Sequence, residues 1–398
     1  METLFEILAI LQIAAGVYLL WQGIQWLTYV QRRLKTDPGF YAPRTAVLCP
    51  CRGMEAGLEQ NLVALCEFGH QNYEVFFILA SEADPAHAVV KRVVASSQRV
   101  KAHVVIAGKP HNCSEKVNNL RVGVEQLPPE FEIIVFADSD GRPGKSWLHK
   151  LAAPLADSRI GATTTMRWFV PNQANLATAL LAAWNAAVVT MLGGHNKNFC
   201  WGGGTAIRRA LFEEIGMLDV WQYSFSDDYS LTAMIERNGR QIVFLPECLT
   251  LSYVHTDFAG LLEFTNRQVK ITRVYRPQMW GMAFATHFLY CATVLLGLFV
   301  MLSLIAQSRP AFQVAFLFSL PMLLAAIRGA FRVIGATEAL PAARTQIMGQ
   351  SWIYIILPVV VPFWYLTNFI CSLAGRRLKW RGIEYEVISS EQTRVLTP

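Results

Sequence analysis

The sequence has few charged residues. Only 16% of its 398 residues are Asp, Glu, Lys or Arg, whereas soluble domains carry about 25%. This low charge and the 53% hydrophobic residues exclude an intrinsically disordered chain and favour a membrane protein. The sequence also lacks internal repeats and low-complexity tracts. Its eight cysteines, several within apolar runs, show no disulfide framework, which predicts a reducing compartment.

The net charge of +6 does not indicate a nucleic-acid partner. Many Lys and Arg residues flank apolar segments, and basic residues at such positions mark the cytoplasmic side of a membrane. The first apolar segment, residues 4–30, has Glu2 and Glu6 at its start and precedes a basic cluster at residues 32–35. A secretory signal peptide has the opposite charge order and a shorter apolar run. We therefore predict an uncleaved anchor at residues 1–35, with the following chain in the cytoplasm, at the inner or plasma membrane if the protein is bacterial.

Three further apolar segments lie near the C-terminus, each about long enough to cross a hydrocarbon core of ~30 Å. They are residues 280–306, 311–327 and 351–373. They predict a multi-pass C-terminal membrane region at residues 277–375, and Arg328, Arg332 and Arg344 are expected to keep the loop after residue 327 in the cytoplasm. Simple alternation would then place the basic tail, residues 376–398, outside. One of the three segments is therefore a candidate for a re-entrant or interfacial helix.

Residues 36–276 are predicted to form one α/β domain. Short runs rich in β-branched residues end at polar or Gly/Pro positions, and they occur at residues 45–49, 74–80, 102–107 and 133–137. Helical patterns at residues 58–67 and 85–97 separate these runs. Strands that alternate with helices indicate a parallel sheet with Rossmann-like winding. A further apolar stretch, residues 176–192, contains Asn185 and is interpreted as a buried or membrane-surface helix.

Ligands of such sheets bind beyond the carboxyl ends of the strands. One strand pattern ends directly in Asp138-Ser139-Asp140. Asp138 and Asp140 can converge on one hard divalent cation, with diphosphate oxygens completing its coordination shell. The alternative is an ordinary turn, since turns are rich in Asp, but the position after an apolar strand favours the metal site.

Two other segments are candidates for binding a nucleotide. Asp84 follows a strand and precedes Pro85, which suits a carboxylate that binds a nucleoside or caps the following helix. Pro50 and Arg52 follow the first strand, so they are expected at the same edge. Lys116 precedes two asparagines at a predicted helix start, where it could contact a phosphate or ribose or simply face solvent.

Ser226-Asp227-Asp228-Tyr229 lies before a helical pattern at residues 231–238. Carboxylates at a helix start are usually caps and dipole partners. The functional alternative is that Asp228 takes the proton of an acceptor hydroxyl, with Asp227 as the cap or a further acceptor contact. Upstream, the segment Cys200-Trp201-Gly202-Gly203-Gly204-Thr205 has a backbone bare enough for close approach by a substrate, so Trp201 and Gly203 are expected at the acceptor. This segment lacks the continuation of a P-loop.

Arg267, Lys270 and Arg273 place cations three residues apart just before the second apolar segment. They share roughly one side of a helix. Such residues either flank a membrane span on its cytoplasmic side or bind a diphosphate at the membrane surface. The residues alone leave both interpretations open.

With these motifs in order, the chain resembles the ceramide glucosyltransferase family, which is close to the inverting family 2 glycosyltransferases of GT-A fold. That family has a D, D, D, (Q/R)xxRW signature. Asp84, Asp138 and Asp228 stand at its three Asp positions, and Lys116-Val117-Asn118-Asn119 matches its K-x-N-N stretch. The resemblance covers about residues 5–370. It implies a GT-A nucleotide-sugar domain between an N-terminal anchor and C-terminal transmembrane helices.

The sequence departs from the family pattern at two places. Lys270-Ile271 replaces the Arg-Trp of the last motif, although Arg267 stands at its first position. Asp140 completes a D-x-D, where ceramide enzymes commonly have Gly. With these differences, the sequence resembles bacterial relatives that act on hopanoids or other lipids as much as it resembles ceramide enzymes.

The resemblance implies transfer of a hexose, glucose in ceramide enzymes, from a UDP-sugar to a lipid hydroxyl such as that of ceramide or a hopanoid. It implies Mg²⁺ or Mn²⁺ as cofactor, inversion at the anomeric carbon, and Asp228 as the base. Asp84 would hold the uracil or ribose, and the basic residues would steady the leaving UDP, namely Arg267, Lys270 and Arg273.

Three alternatives remain, of which a membrane-bound nucleotidyltransferase is the remotest. A processive polysaccharide synthase shares the three Asp residues, but it usually has an intact Q-x-x-R-W, and Ile271 argues against it. A transporter or membrane scaffold with a degenerate domain would not need the carboxylates, and all three are present together with the D-x-D.

Overall fold

A computed structural model describes every residue except Ala56, Ala174 and Pro398. The chain divides into two units. The first, here called the helical unit, comprises Met1–Gln31, Phe169–Thr190 and Tyr253–Gly375. The second, here called the sheet unit, comprises Arg32–Trp168, Met191–Ser252 and Arg376–Pro398. The predicted division at residues 35, 276 and 376 differs from these units. Residues 169–190, predicted as part of the α/β domain, belong to the helical unit, and the basic tail belongs to the sheet unit.

The strands have the following bounds: β1 Thr45–Pro50, β2 Tyr73–Leu79, β3 Ala102–Ile106, β4 Ile133–Ala137, β5 Ile160–Thr164, β6 Arg167–Pro171, β7 Gly204–Arg208, β8 Gln241–Phe244, β9 Thr250–Val254, β10 Arg377–Trp380, β11 Ile383–Ser389 and β12 Gln392–Thr397.

The α-helices have the following bounds: α1 Glu2–Leu34, α2 Leu58–Leu65, α3 Ala86–Ser96, α4 Glu115–Glu125, α5 Trp147–Ala152, α6 Leu176–Val189, α7 Arg209–Glu214, α8 Met217–Trp221, α9 Asp227–Arg237, α10 Phe258–Tyr275, α11 Pro277–Ala306, α12 Phe312–Ala339, α13 Arg344–Gly349, α14 Ser351–Ile355 and α15 Val361–Leu373.

The central sheet has the strand order β3-β2-β1-β4-β7-β5-β8. β1 pairs in parallel with both β2 and β4, β2 pairs in parallel with β3, and β5 pairs in parallel with β8. The predicted α/β class with a parallel-dominated sheet is therefore confirmed. The sheet is not wholly parallel, however, because β7 runs antiparallel to β4 and β5.

Alternation along the strands builds a core on each face of this sheet. Val47 and Cys49 of β1 pack on one face among residues of α2, α3 and α5, while Ala46 and Leu48 pack on the other face among residues of α4, α7 and α9. Successive side chains of a strand point to opposite faces, so a strand covered by helices on both sides is apolar throughout. This explains why the β1 and β4 sequences form continuous hydrophobic runs.

The helical unit contains three helices long and apolar enough to cross a membrane, α1, α11 and α12, among the residues that the structure describes. A fourth crossing is possible for the pair Ser351–Val359 and Val361–Leu373, which is bent by 62°. The bend falls between Pro358 and Pro362, because proline lacks the backbone N–H that a continuous helix needs. It also makes this pair the candidate for the expected re-entrant segment.

The third apolar segment differs from its prediction. Residue 327 was expected to end the helix, with Arg328 and Arg332 in a loop, but α12 continues without a break to Ala339 and includes Pro321. Arg332 is only 4% exposed. Arg328 and Arg332 therefore lie inside a helix and not in the loop in which the positive-inside rule predicted them.

The apolar stretch near Asn185 forms α6, which is capped by Asn175 through a 2.7 Å hydrogen bond from the Thr178 N–H. Its 14 residues are too few to cross a bilayer. The Asn185 amide is buried and accepts a hydrogen bond from the Phe169 N–H (3.3 Å), so its burial is compensated. The interpretation as a buried helix is confirmed.

The basic tail forms a three-stranded antiparallel sheet, β10-β11-β12, with a turn at Arg381-Gly382. Tyr385 of β11 is 1% exposed and packs its ring edge-on against Phe225. All eight cysteines are free thiols in the chain as described, and seven are buried.

Candidate active site

Lys116 joins two of the predicted carboxylates at the carboxyl end of β4. Its Nζ lies 2.8 Å from an oxygen of Asp138 and 3.3 Å from Oδ2 of Asp227. Lys116 is in the first turn of α4, whose N-terminus Ser114 caps by accepting a hydrogen bond from the Val117 N–H. The crossover from β3 thus brings a cation to the strand end where the D-x-D begins.

Burial and mutual attraction have opposite effects on the pKa values of these groups. Burial by itself lowers the pKa of Lys116, but Asp138, Asp227 and Asp228 outweigh it and raise that pKa above its usual value. Burial raises the pKa of Asp227 to about 6, and Lys116 only partly offsets this. For Asp138, the attraction of Lys116 and Arg167 outweighs burial, so its pKa is lowered. Lys116 and Asp138 are therefore charged at neutral pH.

Arg167, which the sequence analysis did not single out, holds the second carboxylate of the D-x-D. Its guanidinium forms an ion pair with Oδ2 of Asp140 and lies 5.8 Å from the centre of the Trp201 ring. The other oxygen, Asp140 Oδ1, is buried and has no hydrogen-bond partner among the described residues. Arg167 opens β6, and only the pairing of distant segments brings it to this carboxylate.

The glycine-rich segment passes directly over these side chains. A Cβ atom at Gly203 would lie 2.5 Å from Oδ2 of Asp138, and one at Gly202 would lie 2.6 Å from Nζ of Lys116. The space at these positions therefore admits glycine alone unless the charged groups move. The groups that approach this backbone in the structure belong to the chain itself, and close approach by a substrate stays a prediction.

Asp227 and Asp228 lie in different environments, and one prediction about them is wrong. Asp227 is not the helix cap, because Ser226 occupies that position and accepts a hydrogen bond from the Tyr229 N–H. The Asp227 carboxylate instead contacts Lys116 and is 7% exposed. Oδ1 of Asp228 accepts hydrogen bonds from the Ser226 hydroxyl and from the Tyr229 N–H (2.8 Å). Oδ2 of Asp228 accepts none from the residues that the structure describes.

Asp84 fixes the loop after β1. Its Oδ1 accepts hydrogen bonds from the Gly53 N–H and from the Ala86 N–H, both at 2.8 Å. Asp84 thus supports the first turn of α3 and at the same time holds the segment that follows Pro50. Arg52 of this segment forms an ion pair with Glu115, the residue before Lys116.

The tail sheet supports the same segments, which the sequence did not indicate. Arg381 donates a hydrogen bond to the carbonyl oxygen of Arg52 (2.6 Å) and forms an ion pair with Glu55. The Tyr385 hydroxyl accepts a hydrogen bond from the Glu115 N–H (3.2 Å). Burial raises the pKa of Glu115, and Arg52 acts against this. The C-terminal residues are therefore structural parts of the region around Arg52 and Lys116.

Arg267, Lys270 and Arg273 lie on α10, in the helical unit. The Arg267 guanidinium lies 5.3 Å from the centre of the Phe264 ring, and Arg273 donates a hydrogen bond to the carbonyl oxygen of Ser372. Burial and the neighbouring Arg273 lower the pKa of Lys270. Their contact with a diphosphate stays a prediction.

The D-x-D carboxylates fit a divalent cation. No group of three or more His, Cys, Asp or Glu side chains that could hold a metal occurs within residues 1–55, 57–173 and 175–397. A hard cation such as Mg²⁺ is, however, usually bound by one or two carboxylates together with substrate phosphates. The buried Oδ1 of Asp140 provides an oxygen ligand with no competing donor.

The chain is similar to known glycosyltransferases. The sequence profile described as "Glycosyl transferase family 21" matches residues 4–393. Ceramide glucosyltransferase 1 of Caenorhabditis elegans is 29% identical over 105 residues, which are 26% of this chain and 22% of that protein. The match therefore spans about a fifth of that relative.

Two solved structures are similar at low identity. A mannosyltransferase of Pyrobaculum calidifontis, PcManGT, in complex with GDP-Man and Mn²⁺, is 17% identical with a TM-score of 0.49 over 91% of this chain and 99% of that chain. Glucosyl-3-phosphoglycerate synthase of Mycobacterium tuberculosis, in complex with phosphoglyceric acid, is 15% identical with a TM-score of 0.38 over 61% and 82% of the two chains.

The profile match extends from the first apolar helix to the tail sheet. It includes Lys116 and the four nearby carboxylates, Asp138, Asp140, Asp227 and Asp228. The resemblance to ceramide glucosyltransferases is thus confirmed at the level of the family. The chain belongs to glycosyl transferase family 21.

Proposed function

We propose that this glycosyltransferase transfers a hexose, glucose in the first instance, from a UDP-sugar to a lipid hydroxyl with inversion at the anomeric carbon. The observation that carries the proposal is the hydrogen bonding of Asp228, whose charge acts on Lys116. Oδ1 of Asp228 accepts two hydrogen bonds, and Oδ2 accepts none from the described residues. A general base needs such an orientation, because it must accept a proton from one direction.

Asp228 takes the proton in this mechanism. The acceptor hydroxyl oxygen forms a bond to the anomeric carbon, and its proton passes to Oδ2 of Asp228. The bond from that carbon to the diphosphate oxygen breaks, and its electron pair leaves with UDP. The Ser226 hydroxyl and the Tyr229 N–H fix the direction of the Asp228 carboxylate.

The residues around Lys116 bind the donor. Lys116 supplies positive charge for the diphosphate, and Asp227 and Asp138 hold the ammonium group in place. Asp84, with Pro50 and Arg52 on the adjacent loop, is assigned to the uracil or ribose. Arg267, Lys270 and Arg273 are assigned to the leaving UDP, and Trp201 and Gly203 to the acceptor.

Asp138 and Asp140 would hold Mg²⁺ or Mn²⁺. Such an ion neutralises charge on the diphosphate as a Lewis acid when it is bound. Arg167 orients Asp140 through Oδ2, so that Oδ1 is directed away from the ion pair.

Purified full-length protein in detergent tests the function directly. We expect hexose transfer from UDP-glucose to a ceramide or a hopanoid with a free hydroxyl, and a β-linked product from the α-linked donor, measured by mass spectrometry and NMR. A lipid that carries a long polymer would instead support a processive synthase. An α-linked product would contradict direct displacement.

The orientation in the membrane is tested by cysteine accessibility. Lys91 is exposed on α3, and Gln307 is exposed beyond the end of α11. We expect an impermeant thiol reagent to label Gln307→Cys in intact cells and Lys91→Cys only after the membrane is opened. The parent is the control, since its native thiols are buried or, for Cys371, half-buried. Labelling of Lys91→Cys in intact cells would reverse the proposed orientation.

A further inference from the structure

One cleft of the helical unit is lined by three residues with a buried hydrogen-bond donor that has no acceptor among the described residues. Arg328 and Arg332 of α12 and Trp26 of α1 line this cleft together with Gln22 and Thr190, and its volume is about 30 Å³. Nε of both arginines and the indole Nε1 of Trp26 are buried and have no hydrogen-bond partner among the described residues. Arg332 and Trp26 are each only 4% exposed.

The two arginines are also adjacent like charges. They are four residues apart, one turn of a helix, where like charges repel. Neither forms an ion pair with a carboxylate in the part of the chain that the structure describes, whereas the exposed Arg309 near the start of α12 is paired with Glu2 at 2.7 Å. Buried charges without a counter-ion are costly in water-poor surroundings. An anion in the cleft would balance the charge of the two arginines and accept hydrogen bonds from the buried Nε groups.

The positions of Arg328 and Arg332 along α12 correspond to the depth of lipid head groups. Arg328 is 16 residues beyond Phe312, which is about 24 Å along a helix axis. A hydrocarbon core is about 30 Å thick, so the arginines lie towards the far end of the apolar stretch. α1 runs alongside in the same direction, because Glu6 contacts Gln313 (3.0 Å) and Gln31 contacts Glu338 (3.1 Å).

The packing of α1 against α12 leaves room for these side chains. Gly23 of α1 faces Arg328, and a Cβ at Gly23 would lie 3.1 Å from Cγ of that arginine. The aliphatic stem of Arg328 thus packs on a bare backbone, while its guanidinium lines the cleft. An arginine guanidinium binds phosphate oxygens through two parallel hydrogen bonds, a geometry that a neutral head group does not use.

We propose that Arg328, Arg332 and Trp26 form a binding site for the phosphate of a membrane lipid. The ligand is a phosphodiester or phosphomonoester head group whose acyl chains remain in the bilayer. The site is separate from the D-x-D cluster, and it does not depend on which sugar the enzyme transfers.

The test uses full-length protein in a detergent with an uncharged head group. Dioleoyl phosphatidylglycerol, dioleoylglycerol and inorganic phosphate are added separately, and retained lipid and the thermal unfolding temperature are measured by native mass spectrometry and light scattering. We expect phosphatidylglycerol to be retained and to raise the Tm, and dioleoylglycerol to do neither. Equal effects of the two lipids, or an effect of inorganic phosphate equal to that of the phospholipid, would overturn the proposal.

Substitutions locate the site. Arg328→Gln with Arg332→Gln should weaken phosphatidylglycerol binding about tenfold or more, because charge-assisted hydrogen bonds are lost. The matched control is Arg344→Gln, an exposed arginine of α13, which should bind as the parent does. Unchanged binding by the double variant would overturn the proposal.

A photoreactive phosphatidylglycerol provides a measurement that needs no variant. Cross-links in the parent should map to the peptides around Gly23 or Arg328. Cross-links confined to other helices would overturn the proposal even if the double variant does not fold.

Discussion

Asp228→Asn is expected to abolish most glycosyl transfer while UDP-sugar binding stays near the parental value. Loss of a general base costs about 10²–10⁴-fold in rate. The amide keeps the shape of the side chain, and Ser226 still caps α9, so the fold should be maintained. Initial rates and UDP affinity by calorimetry, measured on the same preparation, separate the two effects.

Asp227→Asn is the matched control for this prediction. Asp227 contacts Lys116, which is assigned to the donor diphosphate, so we expect a change in donor KM with kcat within about tenfold of the parent. Its pKa of about 6 adds a second observable. Because Asp227 is protonated below pH 6, acidification should shift the donor KM of the parent towards that of Asp227→Asn, while the KM of the variant should stay nearly constant. Equal loss of kcat in both variants, with donor binding intact, would show that proton transfer is not confined to Asp228.

Asp140→Asn is expected to remove most activity and the metal dependence of UDP binding. The buried Oδ1 of Asp140 is the oxygen without a partner, and an amide there ligates Mg²⁺ or Mn²⁺ poorly. In the parent, UDP affinity should rise when Mg²⁺ or Mn²⁺ is added, and in the variant it should not. Calorimetric titrations of UDP with and without the metal measure this directly.

The control for this variant is Asp157→Asn. Asp157 is a half-buried aspartate paired with Arg159 at 2.7 Å, in the segment before β5. Its replacement should leave both activity and metal dependence unchanged. A parent protein that binds UDP equally well with and without metal would remove the assignment of Asp138 and Asp140.

The central strands could be predicted because their sequences are apolar on both faces. β1, β2 and β4 lie between two layers of helices, so each forms a continuous run rich in β-branched residues. The later strands of the sheet carry weaker patterns. β7 begins at the third of three consecutive glycines, and its antiparallel direction depends on its pairing with β4 and β5, which local sequence does not encode.

The candidate site was only partly visible in the sequence. Asp138 and Asp140 stand out because they end a buried strand, but neighbouring carboxylates at a helix start are ambiguous. Consecutive side chains of a helix point about 100° apart. Asp227 and Asp228 therefore cannot both point towards Lys116, and the sequence does not say which of them does. In the structure, Asp227 at the start of α9 is the one that contacts Lys116 of α4.

The sequence by itself determined the apolar helices, the strand ends that hold the carboxylates, and the family motif, because each depends on residues close together in the chain. The tertiary structure decided which distant groups meet. Arg167 reaches Asp140 across 27 residues, and Tyr385 reaches Glu115 across 270. It also decided that α12 continues past residue 327 and buries Arg332. Hydropathy averages over a window, whereas burial depends on which neighbouring helix covers each side chain.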